Sequence, residues 1–199
     1  MSRIIFHIDV NSAFLSWSAV QRLKDGETVD LREIPSAVAG DGQSRRGIIL
    51  AKSTPAKKYG IQTGEPTGMA LQKCPELVCI PPDFPLYSRS SEKMFQLLGE
   101  YSDRIEQFSI DEGFLDYTGM EALFGPPLEA AKTIQQRIFT ELGFTVNIGI
   151  SCNKLLAKMA GELEKPNKII TLFPDELEKK LWSLPVSELF MVGRRTAPK

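Results

Sequence analysis

The apolar residues of this chain change their period several times, and the order of those changes constrains the fold more than any single residue does. Ile4 to Val10 is rich in β-formers and apolar on both faces, the pattern of a buried strand. In a stretch starting near Pro85, Met94, Leu97, Leu98, Tyr101 and Ile105 recur at helical spacing. Phe108 to Tyr117 reads as two short strands with a tight connection near Glu112-Gly113. Leu128 to Leu142 is amphipathic through Ala131, Ile134 and Ile138, and Thr145 to Ile150 is a strand with a glycine inside it. With residues 12 to 80 set aside, the order is strand, helix, strand, strand, helix, strand. That is the βαββαβ, ferredoxin-like order, so the expected class is α+β with an insertion after the first strand.

The set-aside segment has its own punctuation. Ser12 to Leu23 is a helix pattern with Phe14, Trp17 and Leu23 on its apolar side. Leu31 to Ala51 holds short β-branched runs, expected as strands joined by a mobile loop at Gly40–Gly47. Pro55 to Tyr59 reads as a short helix stopped by Gly60, and Pro66 to Lys73 as another stopped by Pro75. Further on, Leu155, Leu156, Met159, Ala160 and Leu163 mark a helix ended by Lys165-Pro166-Asn167. A strand at Ile169–Leu172 and a short helix around Leu177 and Leu181 complete the plan.

Composition narrows the classes. With 42% hydrophobic and 25% charged residues in 199, the chain is of ordinary globular type. No apolar run approaches the roughly 18 residues that span a bilayer, and the N-terminus lacks the apolar stretch of a signal peptide. Cys74, Cys79 and Cys152 are an odd number without metal-site spacing, which points to a reduced, cytoplasmic setting and away from zinc. His7 is the only histidine, so a multi-histidine metal centre is excluded, and its place in an apolar run favours a structural role.

Net charge is −1, less basic than expected of a complete nucleic-acid-binding protein. The distribution is uneven, however. Gly42 to Lys58 carries five bases (Arg45, Arg46, Lys52, Lys57, Lys58) and no acid, whereas Glu100 to Glu129 carries eight acids and only Arg104. Such a division suits a site holding phosphates and divalent cations together, and equally suits two solvated faces of opposite sign.

Three acids stand out: Asp9 at the end of the first strand and the adjacent Asp111 and Glu112. In a βαββαβ sheet these strands can be neighbours, so the acids can meet. Adjacent residues of a regular strand face opposite sides, so Asp111 and Glu112 serve one site only if the chain turns there, as Gly113 permits. Carboxylates gathered on buried strands repel and lose hydration unless cations lie between them, and two Mg²⁺ with their waters and bound phosphates match that need. Solvated acids at strand ends remain the plainer reading. Lys52 to Gly60 offers cations, a hydroxyl and a helix start, which can grip a triphosphate or simply form an exposed basic helix. Lys154 and Lys165 flank the helix after the glycine-containing strand, and Phe14 is by default a core aromatic.

These segments together carry a resemblance. Ile8-Asp9-Val10-Asn11-Ser12-Ala13-Phe14, Phe108-Ser109-Ile110-Asp111-Glu112-Gly113-Phe114-Leu115-Asp116, and Gly149-Ile150-Ser151-Cys152-Asn153-Lys154-Leu155-Leu156-Ala157-Lys158 followed by Lys165-Pro166-Asn167 resemble, in order, the three motifs of Y-family (translesion) DNA polymerases. The resemblance implies a palm at 1–12 and 80–172, small fingers at 13–79, and the beginning of a helical thumb at 173–199. It implies that Asp9, Asp111 and Glu112, with the Val10 carbonyl, hold two Mg²⁺, for which Mn²⁺ substitutes. Phe14 becomes the steric gate against a ribose 2′-hydroxyl. Thr54, Lys57 and Lys165 become triphosphate contacts, assisted by the N–H groups of Ala13 and Phe14. The implied partners are primer–template DNA and deoxynucleotides, and a sliding clamp through a C-terminal region beyond this chain.

Departures from the family pattern are visible. Asn11 stands where an aspartate is frequent, Thr54 where a tyrosine is, Lys57 where an arginine is, and Lys168 where glycine is common. A lysine donates as a point charge rather than a fork, so Lys57 is expected to alter nucleotide affinity or geometry. Leu189-Phe190-Met191-Val192-Gly193-Arg194-Arg195-Thr196 resembles the start of the thumb, and the chain is expected to stop inside that element and to bind DNA feebly by itself. Two other readings compete: a nucleotidyl cyclase on the same palm, and a degenerate polymerase-like adaptor. The first leaves the inserted segment and Phe14 unexplained, and the second is usually marked by lost carboxylates.

Overall fold

The computed structural model of the protein describes residues 3–40, 47–193 and 195–198. Most of the connection expected at Gly40–Gly47, with Arg45 and Arg46, therefore lies outside the described residues, as does Arg194. In chain order the elements are β1 (Ile5–Val10), α1 (Ala13–Lys24), β2 (Ser36–Ala39), β3 (Ile49–Lys52), α2 (Thr54–Lys57), α3 (Thr67–Lys73), β4 (Val78–Ile80) and α4 (Phe84–Gly99). They continue with β5 (Ile105–Gln107), β6 (Glu112–Asp116), α5 (Glu121–Phe124), α6 (Pro127–Arg137), β7 (Val146–Ser151), α7 (Lys154–Leu163), β8 (Ile169–Thr171) and α8 (Leu177–Lys180). They divide into two units, Met1–Asn11 with Lys93–Lys199, and Ser12–Glu92.

The first unit is built on a five-stranded sheet of order β5-β6-β1-β7-β8. Its first four strands pair antiparallel, and β8 joins β7 in parallel at the edge. Setting β1 between the third and fourth strands of the βαββαβ series is the ferredoxin-like arrangement that the patterning predicts. β1 is the middle strand of five, which is why Ile5, Phe6, Ile8 and Val10 are all buried.

Opposed residues of antiparallel neighbours project from the same face. The register thus puts His7, Asp9, Glu112, Phe114, Asn147 and Gly149 on one face, and Ile8, Gly113 and Ile148 on the other. α7 lies against the first face at very short range. A Cβ on Gly149 would fall 1.9 Å from the Ala157 carbonyl oxygen and 2.5 Å from the Gly161 nitrogen, so no other residue fits. On the other face a Cβ on Gly113 would meet the Phe95 ring of α4 at 2.6 Å.

That contact corrects the reading of Gly113. The β5–β6 connection falls at residues 108–111, not at Glu112-Gly113, and Glu112 already belongs to the strand. Polar groups close the turn: Phe108 and Ser109 N–H both donate to the Glu112 carbonyl at 3.0 Å, and the Ser109 hydroxyl donates to Asp111 Oδ1 at 2.7 Å. Gly113 leaves room for the Phe95 ring and the Glu106 carbonyl rather than turning the chain. The long helix pattern to Leu142 is also subdivided, since α6 widens into a π-helical turn at Ile138–Leu142 before Gly143 ends it at φ 88°.

The second unit has a three-stranded sheet, β3-β2-β4, with β2 antiparallel to β3 and parallel to β4. β2 alternates between two small cores, as its period of two requires. Ala37 and Ala39 pack with Ile49, Ala56, Ile61, Ala70, Cys74 and Leu77, while Val38 packs with Leu15 and Ala19 of α1, Leu31 and Ile80. α2 begins at Thr54, one residue before the expected proline, because the Ser53 hydroxyl accepts from the Ala56 N–H at 3.1 Å and caps it. Among the described residues no helix is long and apolar enough to cross a membrane.

Candidate active site

The carboxylates come together through strand register. Asp9, next to last in β1, lies opposite Glu112, the first residue of β6. Asp111 precedes it in the connecting loop, where its carbonyl accepts from the Val10 N–H at 3.0 Å. Asp9, Val10, Asp111 and Glu112 therefore occupy adjacent backbone positions at one end of the sheet. The turn before Glu112, rather than a bend at Gly113, frees Asp111 from the strict alternation of a strand.

Glu112 is held from two sides. His7, two residues before Asp9 on the same face and fully buried, places Nε2 2.8 Å from Glu112 Oε2. An ionised carboxylate only accepts, so this nitrogen is the donor. The Lys158 ammonium, from α7, donates to the same oxygen. Lys158 is only 7% exposed, and its ammonium lies over the rings of Phe190 at 4.9 Å and Phe108 at 5.3 Å. The His7 hydrogen bond, reinforced against burial by Lys158, holds the Glu112 carboxyl down at about 2.

Asp9 is treated differently. Burial pushes its carboxyl above the usual range, and Lys165 opposes that shift. Lys165 Nζ donates to Asp9 Oδ2 at 2.5 Å and to Glu162 Oε1 at 2.8 Å. Burial alone would lower the Lys165 ammonium, but the two carboxylates outweigh it and hold it above its ordinary value.

The remaining sequence-predicted residues lie in the second unit. Ala13 and Phe14 open α1 behind Ser12, whose φ of 49° is left-handed. The Phe14 ring stacks on Tyr87 with centroids 4.4 Å apart and planes 8° from parallel, and Phe84 meets it edge-on at 6.2 Å. Tyr87 is in turn fixed by a 3.1 Å hydrogen bond between its hydroxyl and that of Ser18. Thr54 and Lys57 are exposed on α2. Burial, and then the nearby charge of Lys57, lower the Lys52 ammonium, whose Nζ donates to the Thr63 hydroxyl at 3.1 Å. The structure thus gathers Asp9, Val10, Asp111, Glu112 and Lys165 in one unit, and Ala13, Phe14, Thr54 and Lys57 in the other.

Three residues of the first unit gain importance that sequence reasoning missed. His7 was expected to be structural, yet it donates to Glu112; its position two residues before Asp9, on the same strand face, was the available signal. Lys158 sits amid Ala157, Met159, Ala160 and Gly161, all buried, and a lysine inside an apolar helical run is such a signal too. Asn147, fully buried between Val146 and Ile148, is the third.

Among the described residues no three His, Cys, Asp or Glu side chains converge as a metal-holding group. In donor type and backbone position the site nonetheless fits a hard divalent cation: Asp9, Asp111, Glu112 and the Val10 carbonyl offer only oxygen. The charge of half-buried Asp9, disfavoured by desolvation, is of the kind such a cation relieves. As observed, Lys165, His7 and Lys158 supply the compensation, and Ser109 occupies one oxygen of Asp111.

Comparison with known proteins bears on the fold and the family. The impB/mucB/samB family model matches residues 8–162. A DNA polymerase IV of Clostridium acetobutylicum is 56% identical over 198 residues, covering 98% of this chain and 49% of the relative. DNA polymerase IV 1 of Halalkalibacterium halodurans is 44% identical over 194 residues, covering 98% and 45%. Among solved structures, DinB from Sulfolobus solfataricus superposes with a TM-score of 0.86 at 28% identity, covering 98% of this chain and 55% of that one. An insertion ternary complex of Dbh DNA polymerase gives 0.83 at 29% identity, covering 96% and 55%. The chain spans about half the length of the curated relatives it matches. Ferredoxin-like sheet and inserted three-stranded unit are accounted for together: the chain belongs to the impB/mucB/samB family, with the palm-and-fingers fold of the Y-family DNA polymerases.

Proposed function

We propose that this protein is a template-directed DNA polymerase of the translesion type, acting in the cytoplasm on primer–template DNA and deoxynucleoside triphosphates. The observation that carries the reading is the register of Asp9 against Glu112, with Asp111 adjacent and Val10 bonded to it. In this reading residues 1–12 and 80–172 are the palm, 13–79 the fingers and 173–199 the beginning of the thumb. Asp9, Asp111, Glu112 and the Val10 carbonyl hold two Mg²⁺, replaceable by Mn²⁺. When bound, the metals activate the primer 3′-hydroxyl and neutralise charge on the transferring phosphate.

The chain's own residues do the rest. His7 and Lys158 keep Glu112 ionised and aimed, so that its free oxygen is available without a proton to lose. Lys165 binds the triphosphate, exchanging Asp9 for phosphate oxygens as partners. Thr54 and Lys57, on α2, contact the same group, as do the N–H groups of Ala13 and Phe14 at the start of α1. Phe14 excludes a ribose 2′-hydroxyl. Tyr87 stacked behind its ring supports that role, because a backed ring cannot recede to admit the extra oxygen.

A second reading, a polymerase-like adaptor without metal, draws on the lysine and histidine partners that already compensate the carboxylates. The deciding experiment is primer extension in Mg²⁺ by the protein at its full natural length, native against Asp111→Ala/Glu112→Ala. Extension with deoxynucleotides that the double variant loses supports the polymerase. No extension by a folded, DNA-binding native protein overturns it and leaves the adaptor.

A further inference from the structure

Asn11 and Asn147 form a pair of amides whose bonding is directional. Asn147 is fully buried, where an amide is costly unless its donors and acceptor are satisfied. Its Nδ2 donates to the Gly161 carbonyl at 3.0 Å and the Glu164 carbonyl at 2.6 Å. Its Oδ1 accepts from Asn11 Nδ2 at 3.0 Å and from the Lys168 N–H at 3.3 Å. Asn11 Oδ1 in turn accepts from the Thr145 hydroxyl at 3.0 Å and from the Asn167 N–H at 2.9 Å. Each orientation forces the next: two carbonyls require Asn147 to present its NH₂, so its oxygen must meet the NH₂ of Asn11.

The consequence falls on Lys165. The network ties the backbone just before it, at the Glu164 carbonyl, and just after it, at the Asn167 and Lys168 N–H groups. The segment that presents Lys165 is thereby fastened to the end of β1 and to β7, with the ammonium delivered to Asp9. A cation on a fixed stem loses less freedom on meeting its ligand, and its placement survives the exchange of one partner for another. Aspartate at position 11 would set two oxygens against each other at the Asn147 contact and add a negative charge near Lys165.

Resting on the nucleotide role of Lys165 given above, we propose that Asn11 and Asn147 are positioning residues that hold the 164–168 segment so that Lys165 meets the triphosphate of the incoming nucleotide. The pair gives Asn11 a role that an aspartate there could not fill in the same bonds.

The test combines Asn11→Ala, Lys165→Ala and the double variant, with Asn11→Ser, smaller but still a donor and acceptor, read where Asn11→Ala fails to fold. Amide hydrogen exchange at Asn167 and Lys168 reports the clamp directly. Binding of a fluorescent deoxynucleoside triphosphate in Mg²⁺, and the split between KM and kcat in primer extension, report its use. Asn11→Ala should speed exchange at both amides and weaken triphosphate binding roughly tenfold, equivalent to about 1.4 kcal/mol, with the loss in KM rather than kcat. In the Lys165→Ala background the same substitution should weaken binding no further, since residues acting through one another are not additive. Unchanged exchange, or losses that simply add, overturns the proposal. A loss in Lys165→Ala without one in Asn11→Ala overturns the positioning role alone. Undiminished binding by Lys165→Ala overturns the nucleotide role of Lys165, and the positioning role with it.

Discussion

In the first unit Glu112 receives two donors from buried side chains and Asp9 is matched by Lys165, whereas in the second unit Thr54 and Lys57 lie exposed on a four-residue helix. The cores differ in the same sense. The sheet of the first unit buries Phe6, Ile8, Leu115, Ile148 and Ile150, while β2 of the second turns Ala37 and Ala39 to a core where Ala56, Ala70 and Cys74 stand beside Ile49, Ile61 and Leu77. Small side chains let backbones approach but remove less apolar area from water. One unit fixes charges at defined positions at the expense of burying them. The other presents its cations exposed, on a scaffold of smaller side chains.

The comparison can be broken most sharply at Gly149. Gly149→Ala forces a methyl group into the backbone of α7, and we expect a loss of about 3 kcal/mol or more in urea unfolding, or failure to fold. A variant that unfolds at the native midpoint would mean that the close approach of α7, and with it the hold on Glu112, is not rigid. Next in size is the contrast between the sheets. Native-state hydrogen exchange should show the amides of β2 opening at free energies about 2 kcal/mol below those of β1, and equal protection would erase the distinction.

A smaller effect sharpens the electrostatic half of the contrast. Glu112 titrates near 2 in the folded protein against 4.5 ordinarily, so the unfolded chain binds more protons between those values. Its stabilising contribution is complete above pH 4.5 and disappears as pH falls through about 2. In metal-free buffer Glu112→Gln should remove about 1 to 2 kcal/mol at neutral pH, after allowance for solvent screening, and flatten the acid limb of the stability profile. An unaltered acid limb would sever Glu112 from His7 and Lys158. Least of all, Lys57→Ala should leave stability within about 0.5 kcal/mol of native, as for an exposed surface residue, while lowering triphosphate affinity. A large loss of stability there would contradict the picture of an exposed grip.

The sequence disclosed the periodic features well, because periodicity is local. β1, α1 and the βαββαβ order follow from spacing alone, and Asp9 was found because an acid ending an apolar strand is conspicuous. What stayed hidden depends on partners distant along the chain. Gly113 looked like a turn residue, and only the Phe95 ring and the Glu106 carbonyl explain it. The turn at 108–111 is closed by Ser109 and Asp111 hydroxyl and carboxylate bonds that no periodic pattern encodes. His7 could be seen as buried but not as a donor to a residue 105 positions later. Asn147 gave no signal at all, since an asparagine inside a strand is uninformative until its four partners are known.

The placement of the neighbouring acids has a consequence for redesign. Glu112 is locked into β6 by the ladder to β1, but Asp111 belongs to the short loop that leads into it. Lengthening the chain by a residue between Asp111 and Glu112 would swing Asp111 away and leave Glu112 where it stands. Deleting a residue of β1 before Asp9 would instead shift the register and turn Asp9 to the opposite face. Asp111 and Asp9 can therefore be varied independently, one through loop length and the other only through the sheet, so the spacing between them is a dial that insertion and deletion can reach without touching either carboxylate.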